Sequence, residues 1–243
     1  GAFDAEGRIL AFRWSSLSNL GGYYSSFGAR IHTSFSSPII GGMYRVPVYT
    51  HHVRGVFTNT TPTDAYRGAG RPEMMYATER LMERAARDMG VDPVELRLKN
   101  LLTPADLPFA THGGMTFDSL DPATNVNMAV EASDRAGFEA RRKEAEAHGK
   151  LLGYGLCYYM ERTGGGPVER AELAILPDGS ATLRVGTQST GQGHETAWSQ
   201  IVHEQLGIAW DRIDLLQSDS DALPAGGGTG GSRSLIMAGR TIM

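Results

Sequence analysis

Three groups of glycines in the last third of the chain are the first candidates for chemistry: Gly164-Gly165-Gly166, Gly191 with Gly193, and Gly226 to Gly228 with Gly230-Gly231. Glycine costs folding entropy wherever it stands, so a cluster marks backbone that must turn sharply or approach another group closely. Gly191-Gln192-Gly193 precedes an expected helix containing Trp198, and Gly230-Gly231 precedes one expected to begin near Ser232. Oriented, unpaired backbone N–H groups at such a junction make an anion site. Suitable side chains stand beside them. The Gln192 amide can both donate and accept, Ser232 and Ser234 can hydrogen-bond a phosphate, and Arg233 can neutralise it. Arg67 offers the same charge from an earlier loop, Thr61 to Gly70; capping or surface pairing is the ordinary alternative for Arg67 and Arg71. A single glycine cluster reads more readily as a surface loop, and three of them in the last third of the chain weaken that reading.

Other chemistries find less support. Cys157 is the only cysteine, so neither an internal disulfide nor a four-thiolate iron–sulfur cluster can form within the chain. His194-Glu195 and His203-Glu204 are too far apart for a one-turn metal pair, and no HExxH occurs. His51-His52 lies in a strand-like run, where neighbours point to opposite faces. With 23 basic and 27 acidic residues the net charge is −4, which argues against a nucleic-acid partner. No apolar run approaches the roughly 18 residues of a membrane span, and no signal-peptide pattern opens the chain, so the cytoplasm is the expected compartment.

The elements that must position these residues can be read from local signals. Arg8 to Trp14 alternates as a strand, and Tyr44 to Thr60 is rich in β-branched and aromatic residues. Pro72 opens a helix with Met74, Thr78, Leu81, Ala85 and Met89 at helical spacing, stopped by Gly90. Asp92-Pro93-Val94-Glu95 starts a second helix with an N-cap, a proline and a glutamate three residues after the cap. Asn125 to His148 reads as one more helix. Leu151 to Arg162, Glu169 to Leu176, Ser180 to Gly186 and Arg212 to Gln217 read as strands, with a Pro177-Asp178-Gly179 turn closing a hairpin. Ser232 to Met243 reads as a helix cut off in mid-course. Strands and helices in segregated groups indicate an α+β fold. The change of character near 147 to 153 divides the chain into units 1–147 and 148–243.

Three segments, in order, resemble a known family. Ala65-Tyr66-Arg67-Gly68-Ala69-Gly70-Arg71-Pro72-Glu73 resembles the active-site loop of the molybdenum-binding large subunits of the xanthine dehydrogenase, aldehyde oxidase and carbon monoxide dehydrogenase family. Thr190-Gly191-Gln192-Gly193-His194-Glu195 is similar to the family's Gly-Gln-Gly cofactor loop, and Gly228-Thr229-Gly230-Gly231-Ser232-Arg233-Ser234 to its serine-containing loop. The resemblance covers essentially the whole chain and is nearest the carbon monoxide dehydrogenase-like branch. It implies an internal fragment of the molybdopterin-binding region: 1–147 as the C-terminal part of a first unit, and 148–243 as the N-terminal part of a second.

The resemblance also implies a cofactor and a reaction. Molybdenum is held by the pterin's dithiolene, so one cysteine is no obstacle, and the pterin often takes the cytosine dinucleotide form. Implied cofactor-binding residues are Arg67, Thr190, Gly191, Gln192, Gly193, Gly231, Ser232, Arg233 and Ser234; Tyr66, Gly68 and Ala69 would line the substrate pocket. The implied reaction hydroxylates an aldehyde or N-heterocycle with oxygen from water. Iron–sulfur clusters and FAD would sit on partner chains or domains, since this chain has neither the cysteines nor a flavin-binding Rossmann fingerprint. The family's carbon monoxide dehydrogenases carry a copper-binding Cys where this chain has Gly68, and glycine offers copper no thiolate. Ala69 stands where xanthine-type enzymes carry a Phe that packs on the purine, which moves the expected substrate away from xanthine. The family's upstream glycine-rich motif is absent and its catalytic Glu lies beyond the chain's end. The chain alone is therefore expected to be inactive, completed by the missing parts of its subunit, by iron–sulfur and FAD subunits and by a small-molecule substrate, in an assembly that allows an oligomer. Alternatives are a folded fragment without cofactor or activity, an unrelated nucleotide-phosphate-binding protein and a purely structural protein.

Overall fold

The computed structural model describes every residue except Pro167 and Pro224. Helix and sheet mix in both of its compact units, Gly1–Glu161 and Arg162–Met243. The division falls after Glu161 rather than at 147/148. Residues 148–161 carry no strand: 148–150 turn back on the preceding helix, and beyond them Leu156 and Tyr158 pack on one core cluster of the first unit and Met160 is buried in another.

In the first unit, β1 (Ala2–Phe3), β2 (Ile9–Gly21) and β3 (Tyr49–Phe57) form a sheet in that order. β2 and β3 run parallel, from Phe12 opposite Tyr49 to Gly21 opposite Phe57. The strand expected at Arg8 to Trp14 thus continues seven residues further, since the ladder to β3 holds the polar stretch Ser15 to Asn19 extended. Of the run Tyr44 to Thr60 only β3 is a strand; Tyr44 instead makes an isolated bridge with Leu101. The crossover between the strands holds α1 (Gly28–Ile31).

Next comes α2 (Arg71–Met89), with Gly70 at its N-cap, Pro72 in its first turn and left-handed Gly90 at its end. It buries Met74, Met75, Thr78, Met82 and Ala86, a stripe turned about one residue from the expected one, with Leu81 partly buried at its edge. In α3 (Pro93–Asn100) the Asp92 carboxylate accepts from the N–H groups of Val94 (2.8 Å) and Glu95 (3.2 Å). A small hairpin follows, β4 (Phe109–Ala110) with β5 (Thr116–Phe117). The single helix expected from Asn125 to His148 is two, α4 (Pro122–Ala132) and α5 (Phe138–Ala147), because Asp134 adopts a left-handed conformation (φ 45°) between them.

One buried ionic network ties these elements together. Arg97, 1% exposed, donates to Glu79 Oε2 (2.8 Å), Glu83 Oε2 (3.3 Å), and the carbonyls of Pro93 (2.9 Å), Glu79 (3.3 Å) and Leu156 (3.1 Å). Tyr44 donates to Glu79 Oε1 (2.7 Å), and burial, then the Glu79 carboxylate, hold its phenol well above the usual value. Removing one partner of a buried pair strands the other charge. Arg97→Ala should therefore destabilise the protein by about 3–5 kcal/mol in urea unfolding, and Arg97→Met with Glu79→Leu should recover most of that loss.

The second unit is a three-stranded sheet, β6 (Ala171–Ile175), β7 (Ala181–Val185) and β8 (Ile213–Leu216), in that order. β6 and β7 form the expected hairpin, with Asp178 Oδ1 accepting from the Ser180 N–H (3.0 Å) and hydroxyl (2.7 Å). β7 runs parallel to β8, and α6 (His194–Leu206) is the crossover. Trp198 and Val202 of α6 cover Leu183 and Val185. The helix expected from Ser232 begins only after Ser234: Leu235–Gly239 is a π-turn, and α7 (Arg240–Ile242) is one turn long. Ala238 on the π-turn is fully buried in this core, which explains why the widened turn is kept there.

Candidate functional site

Both parallel pairs release their loops from the carboxyl ends of their strands, where ligands of open α/β sheets collect. In the first unit, β2 ends at Gly21 and β3 at Phe57, and the segments that follow interlock. Gly22 N donates to Thr60 O (3.0 Å), and the Asp64 carboxylate accepts from the N–H groups of Ala65 (2.7 Å), Phe27 (3.0 Å) and Ser26 (3.2 Å). Those backbone bonds, Ala65's first, hold the Asp64 carboxyl below its usual value.

The fixed base presents Tyr66 to Gly70. Tyr66 is 84% exposed, and Arg67 is exposed with no ion pair among the described residues. Gly68, Ala69 and Gly70 all have positive φ (88°, 38° and 89°). A Cβ on Gly68 would stand 2.5 Å from Pro72 Cγ, so a cysteine there requires Pro72 to move. Arg71 turns inward instead: Nη1 donates to the carbonyls of Gly68 (3.1 Å) and Ala69 (3.4 Å), and Nε makes an ion-pair contact with Glu161 Oε1 at 3.2 Å without hydrogen-bond alignment. Of the two arginines, Arg67 is the one left facing outward.

In the second unit the loops after β7 and β8 hold the other expected residues, and the first and last of the three glycine clusters meet there. Gly164 N donates to Gly231 O (2.9 Å), and Gly166 lies beneath the Arg233 guanidinium. A Cβ on either Gly186 or Gly226 would overlap the other's backbone. Thr229 Oγ1 donates to Gln188 O (2.6 Å), and the buried Glu169 carboxylate accepts from Gly227 N (3.1 Å). Arg233 Nη2 donates to the carbonyls of Gly227 and Gly228, so the expected phosphate-neutralising cation is bracing its own loop. Ser232 (φ 54°) and Ser234 make no hydrogen bond through their hydroxyls among the described residues.

At Thr190 to Gly193, Gly191 and Gly193 have φ of 107° and 74°, and a Cβ on either would meet nothing within 4 Å. Their glycine identity serves backbone conformation, not packing. Gln192 Oε1 accepts from Thr190 N, which leaves its amide NH2 to donate outward. The first turn of α6 already holds an anion: the Glu195 carboxyl is kept below its usual value, first by its own backbone N–H, and Gln217 Nε2 donates to it at 2.7 Å. Gln217 Oε1 in turn accepts from Ser189 N (2.9 Å). A second anion at that turn meets a like charge, so this loop suits a neutral hydrogen-bonding edge better than a phosphate.

Among the described residues, buried Thr187 Oγ1 and His194 Nδ1 flank the same loop without partners, as does Trp198 Nε1, whose ring lies 4.9 Å from the His194 ring at a tilt of 35°. Such atoms cost about 1–3 kcal/mol each unless something supplies the missing bond. The donor set therefore fits a ligand dense in hydrogen-bonding atoms, as a pterin is. Among the described residues no three His, Cys, Asp or Glu side chains gather as a metal cage. Gln217 and Glu169 have no site role in the sequence, and Thr229 and His194 stand there only as members of the quoted loops. Only Gln217 carried a signal, as the polar residue closing a parallel strand.

The close approach of Gly186 and Gly226 has a measurable consequence. Gly186→Ala should force the loop after β8 away from β7 and lower pterin and molybdenum content of the complete protein about tenfold, with far-ultraviolet circular dichroism unchanged. Unchanged cofactor content would show that the approach does not shape the site.

Comparison with known proteins agrees with this geometry. Family models described as molybdopterin cofactor-binding domains match residues 1–101 and 128–243. The chain is 37% identical to the 6-hydroxypseudooxynicotine dehydrogenase complex subunit gamma of Paenarthrobacter nicotinovorans, across 98% of this chain and 30% of that protein. It is 33% identical to the carbon monoxide dehydrogenase large chain of Hydrogenophaga pseudoflava, across 99% and 32%. Quinoline 2-oxidoreductase from Pseudomonas putida 86 superposes with a TM-score of 0.87 at 31% identity, over 99% of this chain and 33% of that one. The chain thus spans about a third of the length of the relatives it matches. It belongs to the molybdopterin cofactor-binding domains of the xanthine dehydrogenase, aldehyde oxidase and carbon monoxide dehydrogenase family.

Proposed function

We propose that this chain is the molybdopterin-holding part of an oxidoreductase that hydroxylates an aldehyde or an N-heterocycle with oxygen from water. The observation that carries the reading is the joined glycine loops at 164–166 and 226–231, with Thr187 and His194, unpartnered among the described residues, and the free donor face of Gln192. When bound, the molybdenum pterin supplies the redox centre for exchanging a substrate C–H for C–O. The Gln192 amide, the Thr190 hydroxyl and the backbone N–H groups of Gly191 to Gly193 would hold the pterin edge. The hydroxyls of Ser232 and Ser234 beside Gly231, with Arg233 bracing them, would take the anionic tail, of the cytosine dinucleotide form. In the first unit Arg67 would offer its outward charge to an anion. Tyr66, Gly68 and Ala69 would line the substrate pocket.

The substrate class follows from that lining. Gly68 offers no thiolate to copper, so carbon monoxide is not the expected substrate. Ala69 leaves room, and the exposed Tyr66 ring offers a face for a flat ring to stack on. Two of the relatives carry the names of nitrogen-ring compounds, quinoline and a hydroxylated pseudooxynicotine. One cysteine cannot carry electrons away through a cluster, so iron–sulfur and FAD partner subunits are part of the proposal.

Purified complete complex should contain molybdenum and pterin near one per subunit. In H2(18)O it should place labelled oxygen into an aldehyde or a quinoline-type ring, leaving xanthine and carbon monoxide unchanged. Absence of both metal and pterin would defeat the cofactor reading, and turnover of xanthine or carbon monoxide would defeat the substrate reading.

A further inference from the structure

The extended segment after α5 does more than cover the core of the first unit. Arg97 Nη2 holds its Leu156 carbonyl at 3.1 Å, and Met160 is buried with Met74 and Met75 of α2. Between and beyond these anchors the segment reaches the Tyr66 to Gly70 loop. Tyr159 Oη lies 3.0 Å from where a Cβ on Gly68 would stand, and it donates to Glu161 Oε2 at 2.8 Å. Glu161 Oε1 meets Arg71 Nε at 3.2 Å, and Arg71 Nη1 reaches the Gly68 and Ala69 carbonyls. The Arg71 guanidinium also lies over the Phe35 ring, 5.8 Å from its centroid, and the side chain is only 12% exposed. The start of α2 does not need this chain of contacts: Gly70 and Pro72 supply its N-terminal backbone, and Met74 N already bonds Gly70 O.

We propose that Tyr159, Glu161 and Arg71 are positioning residues that set the backbone of Gly68 and Ala69, and through it the substrate-facing wall of the first loop. This rests on the reading of that loop as pocket lining. A planar guanidinium held by a carboxylate and an aromatic face offers its remaining N–H to two successive carbonyls, a task a lysine ammonium cannot copy with the same geometry. Tyr159 fixes the carboxylate in turn, so the wall is anchored to the buried Arg97 network at the segment's other end.

The test uses the complete holoenzyme with Tyr159→Phe, Glu161→Gln and Arg71→Lys. Each should raise KM roughly tenfold, equivalent to one charge-assisted hydrogen bond, with kcat and molybdenum content within about a factor of two. Trypsin should also cleave faster after Arg67, the loop's susceptible bond, since the Arg71-Pro72 bond resists it. Unchanged KM in all three variants overturns the proposal, as does a common fall of kcat and metal content, which marks a merely structural role. Faster cleavage with unchanged KM overturns it too. If the parent complex hydroxylates nothing, the functional reading has failed and the clamp is judged on cleavage after Arg67 alone, unchanged rates rejecting it. Should Glu161→Gln fail to fold, Tyr159→Phe, which removes one oxygen, still decides.

Discussion

Parallel strand pairing is the constraint on which the rest of this molecule depends. Two parallel neighbours end on the same side, so whatever follows them in the chain is delivered to one place. It happens twice. β2 and β3 deliver Gly22 to Phe27 and Thr58 to Gly70 to one end of the first unit, while β7 and β8 deliver Gly186 to Gly193 and Gln217 to Ser234 to one end of the second. Each pair requires a crossover, and in the second unit that crossover is α6, whose first turn is the end of the glycine loop itself. The candidate residues are therefore assembled by the same backbone ladders that make the sheets.

Once gathered, the loops are held by side chains unrelated to ligand chemistry. Glu169 fastens Gly227, Gln217 joins Ser189 to Glu195, Asp64 gathers three N–H groups and Arg233 binds two carbonyls. Each satisfies polar backbone that a loop would otherwise leave to water. What remains unsatisfied is correspondingly informative. Among the described residues, Thr187, His194, Trp198, the Ser232 and Ser234 hydroxyls and the outward face of Gln192 are unspent hydrogen-bonding capacity beside loops that are otherwise pinned.

Much of the frame is legible from local signals. The Asp92 cap, the Gly90 stop and the Asp178-Gly179 turn are decided within a few residues, and the sequence is read there as it folds. The failures share a cause. Residues 154 to 160 alternate between shielded and exposed because an extended chain laid on a core has the same period as a strand, although no ladder forms. The polar end of β2 carries no local strand signal because its partner residues, such as His52 opposite Ser15, lie far along the chain. At the site, residue type reveals Gln192, Ser232 and Arg67. Glu169 and His194 stay hidden because their significance lies in what they touch, or fail to touch, in three dimensions. Arg233 is visible as a cation, while its attachment to Gly227 and Gly228 is not.

The meeting of Gly186 with Gly226 bears on how such a protein can change over generations. Most tight contacts in a core can be renegotiated: one residue grows, its neighbour shrinks, and the volume is conserved. Here both neighbours are already the smallest residue available, so neither can give way to the other. Drift at this point has no compensating step, and a lineage that admits a side chain at either position must rebuild the loop by other means. The loop tips at Tyr66 and Arg67, by contrast, face open space, and new substrates are most readily acquired there without disturbing the frame.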